Sequence, residues 1–119
     1  METKFNSQIC TTREQSERLL ALGLKKETAD MIHTIQTRNH LGDEVERHDY
    51  YSFGTHVDYT PQGYASYESI PAWSLHKLIL LLDTIACDWI FRNGDCYTNA
   101  INGIEWLIKE GYFNKEYLV

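Results

Sequence analysis

Apolar residues at helical spacing in the second half of the chain constrain the fold more than any other sequence feature. One face of a helix near the end of the chain is formed by Tyr97, Ile101, Ile104 and Ile108, with Ala100 and Leu107 beside them. Side chains three and four positions apart lie on the same side of an α-helix. The pattern predicts a helix over residues 98–110 that ends before Gly111, followed by an apolar tail, residues 112–119, that docks on the core.

A second helical pattern precedes this one and is centred on leucines. Pro71 suits the first turn of a helix, and apolar residues at helical spacing follow at Leu75, Leu78, Ile79 and Leu82. Beyond them the pattern has two interpretations: the helix continues to Asn93-Gly94, or residues 85–98 form a small β-hairpin with a turn at that dipeptide. The helix is favoured, and Asp95 then caps the helix that follows.

The first part of the chain predicts two helices joined by a tight turn. Thr11 and Glu14 have the spacing of a capping box, so a helix is expected over residues 12–22, ending at Gly23. A further helix is expected over residues 26–38, where Met31, Ile32 and Ile35 form a narrow apolar stripe.

These patterns predict a mainly α fold, a four-helix single domain spanning residues 1–119 with a long aromatic-rich loop. The helices over residues 26–38 and 98–110 are expected to pack around the helix that begins at Pro71. Residues 39–70 are expected to be ordered but irregular, with short strands, because they contain six aromatic side chains. The alternative is an α+β fold with a small hairpin near residues 85–98.

Composition is typical of a globular protein, with 43% hydrophobic and 24% charged residues. No segment has the apolar length of a signal peptide or a membrane span, since the longest aliphatic run covers residues 78–82. The three cysteines leave an odd thiol and form no CxxC pair, which is typical of reduced thiols. A cytoplasmic protein that does not contact membranes is therefore predicted.

Three blocks of sequence carry a resemblance to other proteins. They are residues 12–31 (TREQSERLLALGLKKETADM), 70–75 (IPAWSL) and 104–118 (IEWLIKEGYFNKEYL). Together they resemble short uncharacterised proteins carried on prophages and mobile elements of intestinal anaerobic bacteria. Members of that group often have proline where Lys26 stands, and a longer strand-forming insert before the last helix. The resemblance implies a biological setting and no activity.

DNA binding through the helical hairpin, residues 12–38, is an alternative function. The turn at Gly23 has the spacing of a helix-turn-helix, but Arg18 stands where that motif buries an apolar residue. Glu27 and Asp30 on the second helix would repel a phosphate backbone. Nucleic acid is therefore a disfavoured partner.

A small hydrolase or metal-dependent enzyme is a further alternative with little support. His40, His48 and His56 recur every eight residues, yet no close pair such as HxxxH or CxxC would place two ligands on one turn. No GxSxG sequence is present, and Cys87 and Cys96 lie in apolar surroundings. The sequence predicts no catalytic residue, no cofactor and no metal site.

The segment from residue 39 to 67 is the best candidate for binding a partner, because it combines carboxylates with tyrosines. The candidate residues are Asp43, Glu44, Glu46, Tyr50, Tyr51, Tyr59, Tyr64 and Tyr67. Tyrosine offers a large rigid contact area, and carboxylates steer a basic protein surface toward the site. The alternative is a purely structural role, in which these tyrosines only cover the core. The leading hypothesis is a non-enzymatic accessory protein that acts through protein–protein interaction.

A weak homodimer is also expected, since Trp73, Trp89, Trp106 and the apolar tail exceed what four short helices cover.

Overall fold

The structure is a computed structural model that describes residues 8–39, 45–54 and 65–119. These residues form an α+β fold in which three α-helices accompany a three-stranded antiparallel sheet, so the predicted four-helix architecture is wrong. The elements in chain order are α1 (Arg13–Ala21), a 3-10 turn (Lys26–Thr28), β1 (Met31–Asn39), β2 (Val45–Phe53), β3 (Ala65–Ala72), α2 (Leu75–Ala86), a 3-10 turn (Cys87–Phe91), α3 (Cys96–Lys109) and a 3-10 turn (Lys115–Tyr117).

The helix predicted over residues 26–38 is replaced by a 3-10 turn and strand β1. This stretch contains Ile32, Thr34, Ile35 and Thr37, and β-branched residues of this kind favour strands. β1 is the central strand and is buried on both faces, so its apolar residues do not alternate and resemble a helical stripe. The helical hairpin that motivated the DNA-binding alternative therefore lacks its second helix.

The loop predicted over residues 39–70 contains two full strands, β2 and β3, on either side of β1. Their register places Met31 opposite Phe53 and Ala72. Pro71 lies in β3 and does not start a helix, which an edge strand tolerates because a missing N–H there costs no ladder bond on the open side. The helix begins after Ser74, whose hydroxyl accepts a hydrogen bond from the Lys77 amide at 3.1 Å.

Helix α1 confirms the predicted end and corrects the predicted start. The N-cap is Thr12 and its reciprocal partner is Gln15, one position later than the expected Thr11 and Glu14 pair. The helix ends at Gly23, which has a positive φ of 103° as expected for the left-handed terminating position.

The region between α2 and α3 is neither a continuous helix nor the alternative hairpin. A 3-10 turn and Gly94, with φ of 109°, connect the two helices. Asp95 caps α3 as predicted, and its carboxylate accepts from the Thr98 amide at 2.9 Å. The tail docks as predicted, because Phe113 is buried and the Val119 amide donates to the Gly23 carbonyl at 2.7 Å.

The main hydrophobic core lies among the three helices and the tail. Its fully buried members include Leu19, Leu78, Leu82, Ile101 and Ile104. Gly103 allows close packing of α2 and α3, because a Cβ atom there would lie 2.7 Å from Leu82 Cδ2 and 3.0 Å from Trp89 Cγ.

A buried tryptophan attaches the sheet to this helical body. Trp73 directly follows β3 and is completely buried in the core. Its indole Nε1 donates to Thr28 Oγ1 at 3.0 Å, and its amide donates to Thr11 Oγ1 at 3.0 Å. Beside it, the Ser74 amide donates to Asp30 Oδ1 at 2.8 Å. These hydrogen bonds satisfy buried polar groups and fix the ends of β1 and β3 against the helices.

Candidate protein-interaction surface on the sheet

Strand β2 presents aromatic side chains to solvent at an edge of the sheet. Tyr50, Tyr51 and Phe53 are 52%, 45% and 81% exposed. In the described part of the chain β2 pairs with β1 alone, so its other side is an open edge. The charged residues of β2 lie in its first half, and residues 50–53 carry no charge. An uncharged, aromatic edge is a surface on which another strand can pair.

Alternation along β2 divides its side chains between two faces of the sheet. Asp49, Tyr51 and Phe53 share the face of their register partners on β1, namely Ile35, His33 and Met31. We call this the front face. Tyr50 lies on the opposite face, where its hydroxyl donates to Gln36 Oε1 at 3.2 Å. The two adjacent tyrosines therefore lie on opposite faces of the sheet, along the same edge strand.

A buried histidine supports Tyr51 on the front face. The ring of His33 is 5% exposed and stacks on Tyr51, with centroids 4.6 Å apart. Its Nε2 lies 3.6 Å from Asp49 Oδ1, beyond hydrogen-bond distance, and neither ring nitrogen has a hydrogen-bond partner within the described ranges. The Asp49 carboxylate instead accepts from Arg47 Nε at 3.2 Å. A buried polar group without a partner costs about 1 to 3 kcal/mol, so His33 is a poor choice for stability.

The segment before α1 packs against the front face at the end where Met31 lies opposite Phe53. Cys10 is buried there and packs with Met31 and Ala72. Burial, together with the negative charge of Asp30, raises the pKa of its thiol to about 11. The thiol is therefore protonated at neutral pH, and the described residues do not pair it with an activating base. A depression of about 140 Å³ remains between residues 8–12 and Tyr51.

The structure places only some of the residues that the sequence singled out for partner binding. Tyr50 and Tyr51 lie on β2 as described above. Glu46 and Tyr67 occupy backbone positions in β2 and β3, opposite Arg38 and Gln36 of β1. The others lie outside the described residues: Asp43, Glu44, Tyr59 and Tyr64.

Two residues of this surface, Phe53 and His33, were absent from the sequence-based candidates. Phe53 alternates with Tyr51 and Asp49, a period of two that is the signal of a strand. His33 had no signal of its own, because the helix predicted over its position hid its pairing with Tyr51.

The structure also shows where one histidine of the eight-residue series and one of the three tryptophans lie. His48 lies on β2, whereas His40 and His56 lie outside the described residues. Across the described part of the chain, no group of three or more His, Cys, Asp or Glu residues is arranged to hold a metal ion. Trp73 is fully buried, so it adds nothing to the exposed surface from which a homodimer was expected.

Comparison of the chain with protein-family models, curated proteins and solved structures finds no match in any of the three. The mobile-element setting implied by the sequence blocks therefore stays a prediction. Among the helices that the structure describes, none has both the length and the apolar character needed to cross a membrane.

Proposed function

We propose that this chain is a non-enzymatic protein-interaction module that presents strand β2 to an extended segment of another protein. The observation that carries the proposal is the outer edge of β2, with which no other described strand pairs and on which Tyr50, Tyr51 and Phe53 are exposed. An added strand would gain main-chain hydrogen bonds along the edge and apolar contact at its uncharged end. We place this module in the cytoplasm, as an accessory protein of a mobile element.

The charge pattern of β2 favours a partner other than a second copy of the chain. If two β2 strands paired antiparallel over their full length of nine residues, Asp49 of one copy would lie opposite Asp49 of the other. Like charges directly opposite one another destabilise a strand pair. A strand of different sequence avoids this repulsion.

The front face also specifies the chemistry of the partner strand. Asp49, Tyr51 and Phe53 occupy alternate positions on that face, so a paired strand would meet them with three alternate residues. Arg47 already donates to the Asp49 carboxylate, so a lysine or arginine opposite Asp49 would share that carboxylate, and apolar residues opposite the two aromatics would complement this surface. The net charge of −6 further favours a basic partner, because it raises the rate of encounter.

A matched pair of photocrosslinking variants tests this proposal. Phe53 and Phe91 are equally exposed, at 81% and 83%, but Phe91 lies in the turn after α2. Each is replaced in turn by p-benzoylphenylalanine in the full chain, and the two proteins are irradiated in cells of the host. We expect one specific adduct with a second protein at position 53 and none at position 91.

The same experiment has two outcomes that contradict the proposal. Equal adducts at both positions would show that exposed aromatics crosslink without specificity. An adduct of the chain with itself at position 53 would show that β2 joins two copies. Mass spectrometry of the adduct identifies the crosslinked segment and shows whether it contains the basic and alternating apolar residues.

A further inference from the structure

A second concave surface lies between the end of α2 and the C-terminal tail, away from the strands. It is a groove of about 140 Å³ whose lining contains no residue of the sheet. Buried Leu107 and Phe113 lie at its base, and four exposed apolar side chains border it. The bordering residues are Leu80, Ile85, Tyr112 and Tyr117. The groove thus places apolar side chains beside exposed polar atoms, a combination typical of binding depressions.

The groove contains the most strained backbone position of the described chain. Asp83 has φ of 58° and ψ of −166° within α2, and it is the only non-glycine residue with positive φ in the described ranges. Glycine would adopt this conformation without strain, since it has no Cβ atom. An aspartate that persists at such a position indicates that its carboxylate has a use.

The Asp83 carboxylate is oriented but has no cationic partner. Its Oδ1 accepts a hydrogen bond from the Thr84 amide at 2.8 Å, which fixes the side chain close to the kink. Within the part of the chain that the structure covers, no lysine, arginine or histidine forms an ion pair with it. The carboxylate is therefore available to a cation that enters the groove.

The two tyrosines of the groove are held in place by other aromatic rings. Tyr112 packs against Trp106 with centroids 5.9 Å apart, and Tyr117 packs edge-on against Phe113 at 6.0 Å. The tail is also anchored, because the Lys25 amide donates to the Tyr117 carbonyl at 2.8 Å. Binding would thus order few additional side chains, which lowers its entropic cost.

We propose that this groove binds an arginine side chain of another protein. The aliphatic part of the arginine would lie along Leu80 and Ile85, and its guanidinium would meet the carboxylate of Asp83. A guanidinium forms paired hydrogen bonds with carboxylates and stacks on aromatic faces, and the groove supplies both a carboxylate and tyrosines. The site is independent of β2, since the two surfaces share no residue.

Three short peptides test the chemistry of the groove by NMR titration of the full chain. The peptides are acetyl-Gly-Arg-Gly-amide, the same peptide with citrulline, and the same peptide with leucine. Citrulline keeps the shape of arginine and loses its charge. We expect the arginine peptide to shift the amide resonances of Asp83, Thr84 and Tyr112, with affinity on the order of tenfold higher than that of the citrulline peptide. Equal binding of the citrulline or leucine peptide would overturn the proposal.

Substitutions at the kink separate binding from stability. Asp83→Asn removes the charge and keeps the size and shape of the side chain, so binding should fall while the fold persists. Asp83→Gly relieves the strain and should raise the melting temperature by about 3 to 6 °C while also abolishing binding. Asp88→Asn removes another exposed carboxylate nearby in the sequence and serves as the control that should bind normally. Normal binding by either Asp83 variant would overturn the assignment.

Discussion

The helical body and the sheet of this protein are built on different principles. Around Ile101 and Ile104 the helices bury aliphatic side chains completely, and the main core takes its members almost entirely from α1, α2, α3 and the tail. The sheet instead buries polar side chains, His33 and Gln36, in its central strand and exposes aromatic ones on β2. Burial of apolar surface stabilises a fold, whereas an exposed aromatic edge contributes to it little and offers contact to others.

This difference separates stability from recognition along the chain. A region that only had to be stable would bury the rings of Tyr51 and Phe53, and would avoid under Tyr51 an imidazole without a hydrogen-bond partner among the described residues. Trp73 joins the two regions through its hydrogen bonds to Thr28 and Thr11. The sheet is therefore attached to the helical body although no described residue of its strands contributes a side chain to the main core. Mutations in the two regions should therefore act on different properties.

The largest effect is expected from a cavity in the helical body. Ile104 is completely buried in α3, and Ile104→Ala should lower the free energy of unfolding by about 2 to 5 kcal/mol because the neighbours cannot fill the space. Ile108, half-buried on the same helix, is the control, and Ile108→Ala should cost clearly less. Urea denaturation measures both, and equal small effects would contradict a core centred on α3.

A smaller effect is expected at high pH from the thiol that packs on the end of the sheet. Burial raises the pKa of Cys10 from 9.0 to about 11, so the folded state holds a proton that the unfolded chain releases. The corresponding stability is complete below about pH 9 and is lost as the pH rises to about 11. Melting temperatures measured from pH 8 to 11 should fall less steeply in Cys10→Ala than in the natural chain. Cys96→Ala, at an exposed thiol, should leave the slope unchanged.

A gain in stability is expected from replacing His33, a buried polar residue of the kind that distinguishes the sheet from the helical body. His33→Phe keeps a ring stacked under Tyr51 and removes two nitrogens that have no hydrogen-bond partner within the described ranges, so the free energy of unfolding should rise by about 1 to 2 kcal/mol. His33→Ala removes the ring as well and should be destabilising. A loss of stability in the phenylalanine variant would show that the imidazole is stabilised where it lies, for example by the Asp49 carboxylate 3.6 Å away.

The smallest effect on stability is expected from neutralising the acidic residues near β2. Replacing Asp43, Glu44 and Glu46 with their neutral amides should change the free energy of unfolding by less than about 0.5 kcal/mol. Association with a basic partner should nevertheless become slower, because carboxylates that attract a basic surface act mainly on the rate of encounter. Stopped-flow mixing with the protein captured at position 53 measures that rate. An unchanged rate would remove the steering role of these carboxylates.

Sequence reasoning succeeded where local signals decide the structure and failed where pairing decides it. Gly23 and Asp95 mark helix boundaries by the conformation or cap that each residue supplies, and both predictions were confirmed. β1 was predicted as a helix, because residues buried on both faces of a central strand lose the alternation that identifies strands. Pro71 was predicted to start a helix, because the sequence does not show that it lies in an edge strand until the pairing of that strand is known.

The candidate surface was predictable in part. The tyrosine-rich composition pointed to Tyr50 and Tyr51, and both are exposed on β2, while their role in binding stays a prediction. It could not single out Phe53 or His33, because their significance depends on the register of β1 against β2. The strain at Asp83 could not be predicted either, because the sequence around it has the pattern of an ordinary leucine-rich helix.

Amide hydrogen exchange tests the division between a stable helical body and a recognition edge most directly. In the free protein, amides of α3 should exchange slowest and those of β2 much faster, because β2 has a neighbouring strand on one side only in the described structure. Addition of the protein captured at position 53 should then slow exchange along residues 45–53 and leave α3 unchanged. Protection confined to the helices, with β2 exchanging as before, would contradict the account.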